Sequence, residues 1–210
     1  MKKIIHVVYI NDYFPELWEM CLPSIKYYAY KIGAELNIIT ERKFPQWHIN
    51  YEKTQVYECG KYADANFLID ADVLIHPNFP DFSNGITFPH HIAFNDGYHA
   101  SSKFKIHNNF YFQRDNRDVG IASNALISFK STHDVWEPLD ITPEEGREIT
   151  FVREGDIDEY LLSHNMAKYG LKYTGITWEK WQRYFFVHIG CGNKKLALET
   201  AKNVLYNWKK

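Results

Sequence analysis

Cysteine is scarce: Cys21, Cys59 and Cys191 are the only three in 210 residues, an odd number without framework spacing. This argues against a disulfide-stapled secreted scaffold, and a reducing, cytoplasmic setting is expected. No apolar run approaches the roughly 20 residues of a membrane span. Met1-Lys2-Lys3 leads straight into IIHVVYI, too short and too strand-like for a signal peptide, so a soluble protein without a transmembrane segment is expected. Neither sign of charge prevails. Lys and Arg number 24 against 26 Asp and Glu, and the basic residues are dispersed, which leaves no electrostatic footprint for nucleic acid or an anionic membrane. There is no G-x-G-x-x-G fingerprint, no P-loop and no N-terminal Gly-rich, Arg-containing phosphate loop, which argues against dinucleotide enzymes, P-loop NTPases and nucleotidyltransferases. Internal repeats, low-complexity tracts and interdomain linkers are absent too, and 210 residues close a substantial core. A single domain over 1–210 is expected.

Aromatic residues are abundant instead, at 17%, which suits either a large core or platforms on which sugar rings stack. Lys3 to Ile10 is an apolar, β-branched run and reads as the first strand. Leu17, Met20, Cys21, Ile25, Tyr28 and Ile32 then recur at helical spacing, with Pro23 arguing for a kink and Gly33 for the end. Residues 35–40 predict a strand, 53–62 a helix and 66–75 a strand. Strands alternating with helices over the first 75 residues predict an α/β fold with a mostly parallel sheet flanked by helices. Residues 90–119 are polar and aperiodic and predict a long loop excursion on the acceptor side or a lid. Strands at 121–129 and 183–189 and helices at 156–169 and 194–208 complete the pattern.

The stretch NFLIDADVLI, residues 66–75, reads as a buried strand, yet it carries Asp70 and Asp72. A buried carboxylate without a partner costs several kcal/mol, and two close together repel one another. Asp70 could end its strand in solvent and Asp72 cap a turn. The alternative is that both face one divalent cation at the C-terminal end of the strand, where open α/β sheets place ligands. Oxygen donors suit Mg²⁺ or Mn²⁺. His188 closes another apolar strand and is a third candidate ligand. Asn193 suits an N-cap, and Lys194 adds positive charge to a helix N-terminus where a diphosphate could dock. His188 and Cys191 form H-x-x-C, but no second ligand pair supports a structural zinc.

The motif IDADV resembles the DxD motif of metal-dependent GT-A glycosyltransferases, and further pieces follow the order of glycosyltransferase family 8, the glycogenin-like group. Asn11-Asp12-Tyr13 is similar to that family's motif at the end of its first strand, and Lys53 to the lysine before its DxD strand. Asn124-Ala125-Leu126 keeps only the Asn of an Asn-Ser-Gly strand, and Asp158-Glu159-Tyr160-Leu161-Leu162 has Glu in place of Gln. His188 and Lys194 keep the spacing of the terminal motif, with glycines shifted to 190 and 192. The resemblance implies a GT-A domain that moves a sugar from a nucleotide diphosphate sugar, a UDP-sugar, to a glycan or other hydroxyl acceptor with retention of configuration. It implies a Mn²⁺ or Mg²⁺ site at Asp70, Asp72 and His188. Its nucleotide-sugar site comprises Tyr9, Ile10, Asn11, Tyr13, Lys53, Asp70, Ala71, Asp72, Asn124, Asp158, Gly190 and Lys194, with Asp158 and Lys194 as the catalytic pair.

Asp156 and Asp158 both fit helix capping, and the resemblance implies that Asp158 lies at the sugar. An inverting transferase would need a carboxylate base, which Asp156, Asp158 or Glu159 would supply. A metal-containing carbohydrate-binding module is the alternative from outside the enzymes. His90, His91, Tyr98, His99, His107, Tyr111 and Phe112, with Trp178, Trp181 and Tyr184, are amphipathic rings assigned to the acceptor.

Overall fold

The computed structural model describes residues 1–84, 86, 91–97, 120–150, 154–176, 186–190 and 192–209. Strand β1 (Lys3–Val8) lies between β2 (Glu35–Ile39) and β3 (Ala65–Asp70), parallel to both. β6 (Gly120–Phe129) pairs antiparallel with β3 and with β5 (Ile92–Gly97), and β7 (Tyr173–Ile176) runs parallel to β5. The order β2-β1-β3-β6-β5-β7 makes a mostly parallel sheet in which β6 is reversed. Side chains alternate across it with a period of two. Ile5, Val7, Phe67 and Ile69 pack beneath α1 (Pro15–Ile32), while Leu68 and Leu126 meet Tyr160, Leu161 and Met166 of α4 (Ile157–Lys168) on the other face. The fold is therefore an α/β single domain with helices on both faces. No helix among the described residues is long and apolar enough to cross a membrane.

Several boundaries differ from expectation, each for a local reason. α1 runs through Pro23. The Ser24 hydroxyl donates to the Cys21 carbonyl at 2.8 Å and accepts from the Ile75 N–H at 3.1 Å. In place of a helix over 53–62 there is a 3-10 segment, Ile49–Gln55, continued by the short α2 (Val56–Cys59). It stops at Gly60, where a Cβ would lie 2.6 Å from Asn66 Oδ1. The 66–75 run is two strands, because the chain turns at Ala71-Asp72 and β4 (Val73–Ile75) leaves the main sheet to pair antiparallel with β8 (Phe186–His188). The 90–119 excursion is corrected at its start: Ile92–Gly97 is strand β5, whose register shifts between Phe94 and Asn95. Asn95-Asp96-Gly97 has poor strand propensity, which hid it. The rest of that excursion, 98–119, lies outside the described residues, as do His90, Trp178, Trp181, Tyr184 and Cys191. His91 is described and sits 3.2 Å from the Thr174 hydroxyl.

Helix α3 (Pro143–Ile149), opened by a Thr142–Glu145 capping box, brings Gly146 against Trp47, whose indole stacks on Tyr51 at 4.2 Å. A Cβ at 146 would fall 2.3 Å from the Trp47 ring. Gly146→Ala is expected to cost about 1–3 kcal/mol by overpacking, seen as a lowered melting temperature; an unchanged one would contradict this contact.

His6, in the middle of β1, is fully buried. Its Nε2 lies 2.8 Å from Asn66 Oδ1 and its Nδ1 3.1 Å from the Asn37 amide. Burial, only partly offset by the Asn66 hydrogen bond, lowers its pKa from 6.5 to about 4. Between these values the unfolded chain binds a proton that the folded chain refuses, so folded stability falls as pH drops. Acidification from pH 7 to pH 4 is expected to remove about 3 kcal/mol through this residue. The slope should flatten in His6→Gln, compared by urea titration across that range; an unaltered slope would exclude His6 as the source.

Candidate active site

Because β1, β2 and β3 are parallel, the loops at their C-terminal ends open onto one edge of the sheet. Asp70 is the last residue of β3 and stands in register with Val8 of β1. Asp72 follows the turn. Its carbonyl accepts the Ile189 N–H at 3.0 Å, and the β4–β8 ladder sets Val73 opposite His188. Backbone pairing thus carries an imidazole from the far end of the chain to the acidic pair. His188 Nε2 lies 3.2 Å from Asp72 Oδ1 and 3.7 Å from Asp70 Oδ2. One donor atom from each of the three residues falls within 4.8 Å of the others. Two carboxylates and an imidazole suit a hard or borderline divalent cation.

Charges around this cluster are interlocked. Lys53, buried on the 3-10 segment, places Nζ 2.8 Å from Asp70 Oδ1 and 2.9 Å from Asp158 Oδ2. Burial alone would lower the lysine pKa, but the Asp158 and Asp70 carboxylates outweigh it and raise it. Asp70 is pushed up, first by burial and then by the charge of Asp72, against the opposing Lys53 ammonium. For His188 burial acts downward, yet the hydrogen bond to Asp72 and the negative charge of both aspartates prevail and raise it. The Asn124 side-chain amide lies 3.0 Å from His188 Nδ1 and orients the ring. Asp158 Oδ1 also accepts the Glu159 N–H at 2.9 Å.

These residues border a cavity of about 540 Å³. Of the residues singled out from the sequence, Ile10, Tyr13, Lys53, Asp70, Ala71, Asp72, Asn124, Asp158, His188 and Gly190 line it, as do the alternative bases Asp156 and Glu159. Three others do not. Tyr9 stacks on Trp18 with ring centroids 4.6 Å apart, and Asn11 occupies an exposed left-handed turn with φ 58°. Lys194 opens helix α5 (Lys194–Trp208) with its ammonium 5.2 Å over the Phe14 ring. Asn193 caps that helix as expected, accepting the Leu196 N–H at 3.1 Å. Phe14 also adopts a left-handed conformation, as does Asp12, so the loop after β1 holds three non-glycine residues at positive φ. Such backbone recurs where a chain is shaped around a ligand.

Sequence reasoning missed His48, Asn50 and Gly155, which line the same cavity. His48 and Asn50 follow β2 at the sheet edge that carries Asp70. The rule that pointed to the ends of β1 and β3 would have found them had it been applied to β2.

No family model matches the chain, and no curated protein matches it. Among solved structures, it superimposes on a glycosyltransferase involved in glycosylation of the major capsid of PBCV-1, with a TM-score of 0.60 and 10% identity over 97% of this chain and 100% of that one. It also matches the glycosyltransferase GlyE of Streptococcus pneumoniae TIGR4, with a TM-score of 0.53 and 10% identity over 100% of this chain and 63% of that one. The chain has the fold of GT-A-type glycosyltransferases.

Proposed function

We propose that the protein is a metal-dependent glycosyltransferase that moves a sugar from a UDP-sugar to a hydroxyl acceptor with retention of configuration. The observation that carries this reading is the meeting of Asp70, Asp72 and His188 at the mouth of a cavity on the ligand-binding edge of a GT-A fold. A divalent cation held by these three residues would supply positive charge to the diphosphate as it leaves with negative charge. Asn124, whose Nδ2 lies 3.0 Å from His188 Nδ1, keeps Nε2 turned toward the aspartates. Ile10, Tyr13 and Ala71, which line the cavity, are assigned to the nucleotide sugar. Gly190, with φ 71°, takes the left-handed turn from β8 toward α5. Lys194, swinging from Phe14, is assigned to the leaving diphosphate.

Asp158 as an inverting base would have to leave both Lys53 and the Glu159 N–H, which speaks against that alternative. We assign it to holding Lys53 and binding the donor sugar. A cytoplasmic setting fits the exposed free thiol of Cys59.

The test is a screen of nucleotide sugars for hydrolysis that requires Mn²⁺, with NMR of the released sugar at early times. Turnover of a UDP-sugar, retained configuration and thermal stabilisation by UDP only when Mn²⁺ is present are expected. Stabilisation by free glycans without nucleotide would instead establish a carbohydrate-binding module.

A further inference from the structure

The residues assigned so far serve the cation, the nucleotide, the leaving group and, through Asp158, one side of the donor sugar, and they leave one wall of the cavity without a role. That wall comes from His48 and Asn50, after β2, and from Gly155 and Asp156, just before α4. His48 is the N-cap of the 3-10 segment, and its Nδ1 accepts the backbone N–H of Asn50 at 3.2 Å. Caps are ordinarily Ser, Thr, Asp or Asn, which do this with one oxygen. An imidazole does it with one nitrogen and keeps a second. Because Nδ1 accepts, the neutral ring carries its proton on Nε2 and has a fixed N–H donor left over.

The ring is also held in place. A Cβ at Gly155 would come within 3.2 Å of His48 Cε1, so the imidazole rests against bare backbone. The Asn50 side chain donates to the Gly155 carbonyl at 2.6 Å, tying the loop after β2 to the segment that carries Asp156. Asp156 is 5% exposed and borders the same cavity. A carboxylate is a poor neighbour for a diphosphate, since like charges repel. An N–H donor and a carboxylate acceptor lining one cavity are complementary to sugar hydroxyls, each of which both donates and accepts.

We infer that His48 and Asp156 form the specificity wall for the transferred sugar, reading the configuration of its ring hydroxyls. This rests on the glycosyltransferase reading above. A site built to hydrogen-bond a hydroxyl discriminates against the epimer that misplaces it, because its own buried polar groups are then left unpaired.

The experiment compares Mn²⁺-dependent hydrolysis of UDP-glucose and UDP-galactose, which differ only at one hydroxyl, by the wild type, His48→Asn and Asp156→Asn. His48→Asn keeps a capping acceptor and loses the Nε2–H. The expected result is a melting temperature like the wild type's, kcat/KM for the preferred epimer lowered about tenfold or more, and a narrowed preference between the two. UDP should inhibit the variants as it inhibits the wild type. An epimer preference unchanged in both variants overturns the inference while leaving the enzyme a transferase. So does a parallel loss of UDP affinity, which would place this wall at the nucleotide. A wild type that turns over no nucleotide sugar overturns the functional reading, and the inference with it.

Discussion

Asp72→Asn is expected to abolish Mn²⁺-dependent turnover of the donor, by about a thousandfold, while leaving the protein folded. Asp72 is 6% exposed, and one of its oxygens lies 3.2 Å from His188 Nε2, so an amide of the same size fits the space and removes only charge. What the charge does in the free protein is costly, since it helps push the Asp70 carboxyl upward. Removing it relieves that repulsion and gives up the attraction to His188, so the melting temperature without metal should change little. What the charge does for a cation is the reverse: an amide oxygen is a weaker ligand than a carboxylate, and the site falls from two anionic donors to one. Loss of a group that stabilises charge developing in the transition state is worth several kcal/mol of barrier. The variant's melting temperature should no longer respond to Mn²⁺ with UDP. Turnover within tenfold of the wild type, or an intact Mn²⁺ response, would remove Asp72 from the cation site.

The carboxylates announced themselves in the sequence because they interrupt an apolar run, and the same contrast exposed the first strand, α1 and α5. His188 was legible as a histidine closing an apolar strand, and the resemblance to a family motif strengthened its link to the aspartates. No local pattern shows that β8 pairs with a strand more than a hundred residues earlier, and it is this ladder that brings His188 to Asp72. The split of 66–75 into β3 and β4 was likewise invisible, since residues on both sides of the turn are equally apolar and buried. The two aspartates converge through a turn and a change of sheet, whereas extended-chain alternation alone had been expected to align them. His48 escaped because a lone His in a polar loop carries no periodic signal. Its role depends on contacts with Gly155, 107 positions away by the numbering of the chain.

The other large effect is expected at Lys53, the charge that holds two acidic elements together. Its ammonium bridges Asp70 at the end of β3 and Asp158 in the first turn of α4. The side chain is 10% exposed and that of Asp158 only 4%, so both are largely cut off from water. Lys53→Met keeps the aliphatic stem and leaves two carboxylates, one of them already close to Asp72, without their counter-charge. Breaking a buried ion pair from one side costs about 3–5 kcal/mol. For a chain of this size that is a fall of about 10 °C in melting temperature. The deficit should be smaller in Lys53→Met/Asp158→Asn than the two single losses added together, because the second change removes a charge that the first left unpaired. A divalent cation should restore part of the stability of Lys53→Met by neutralising Asp70, and should restore nothing when Asp72→Asn is added. Strict additivity in the cycle, or a Lys53→Met protein within about 1 kcal/mol of the wild type, would show that the bridge neither sustains the fold nor sets the geometry of the site.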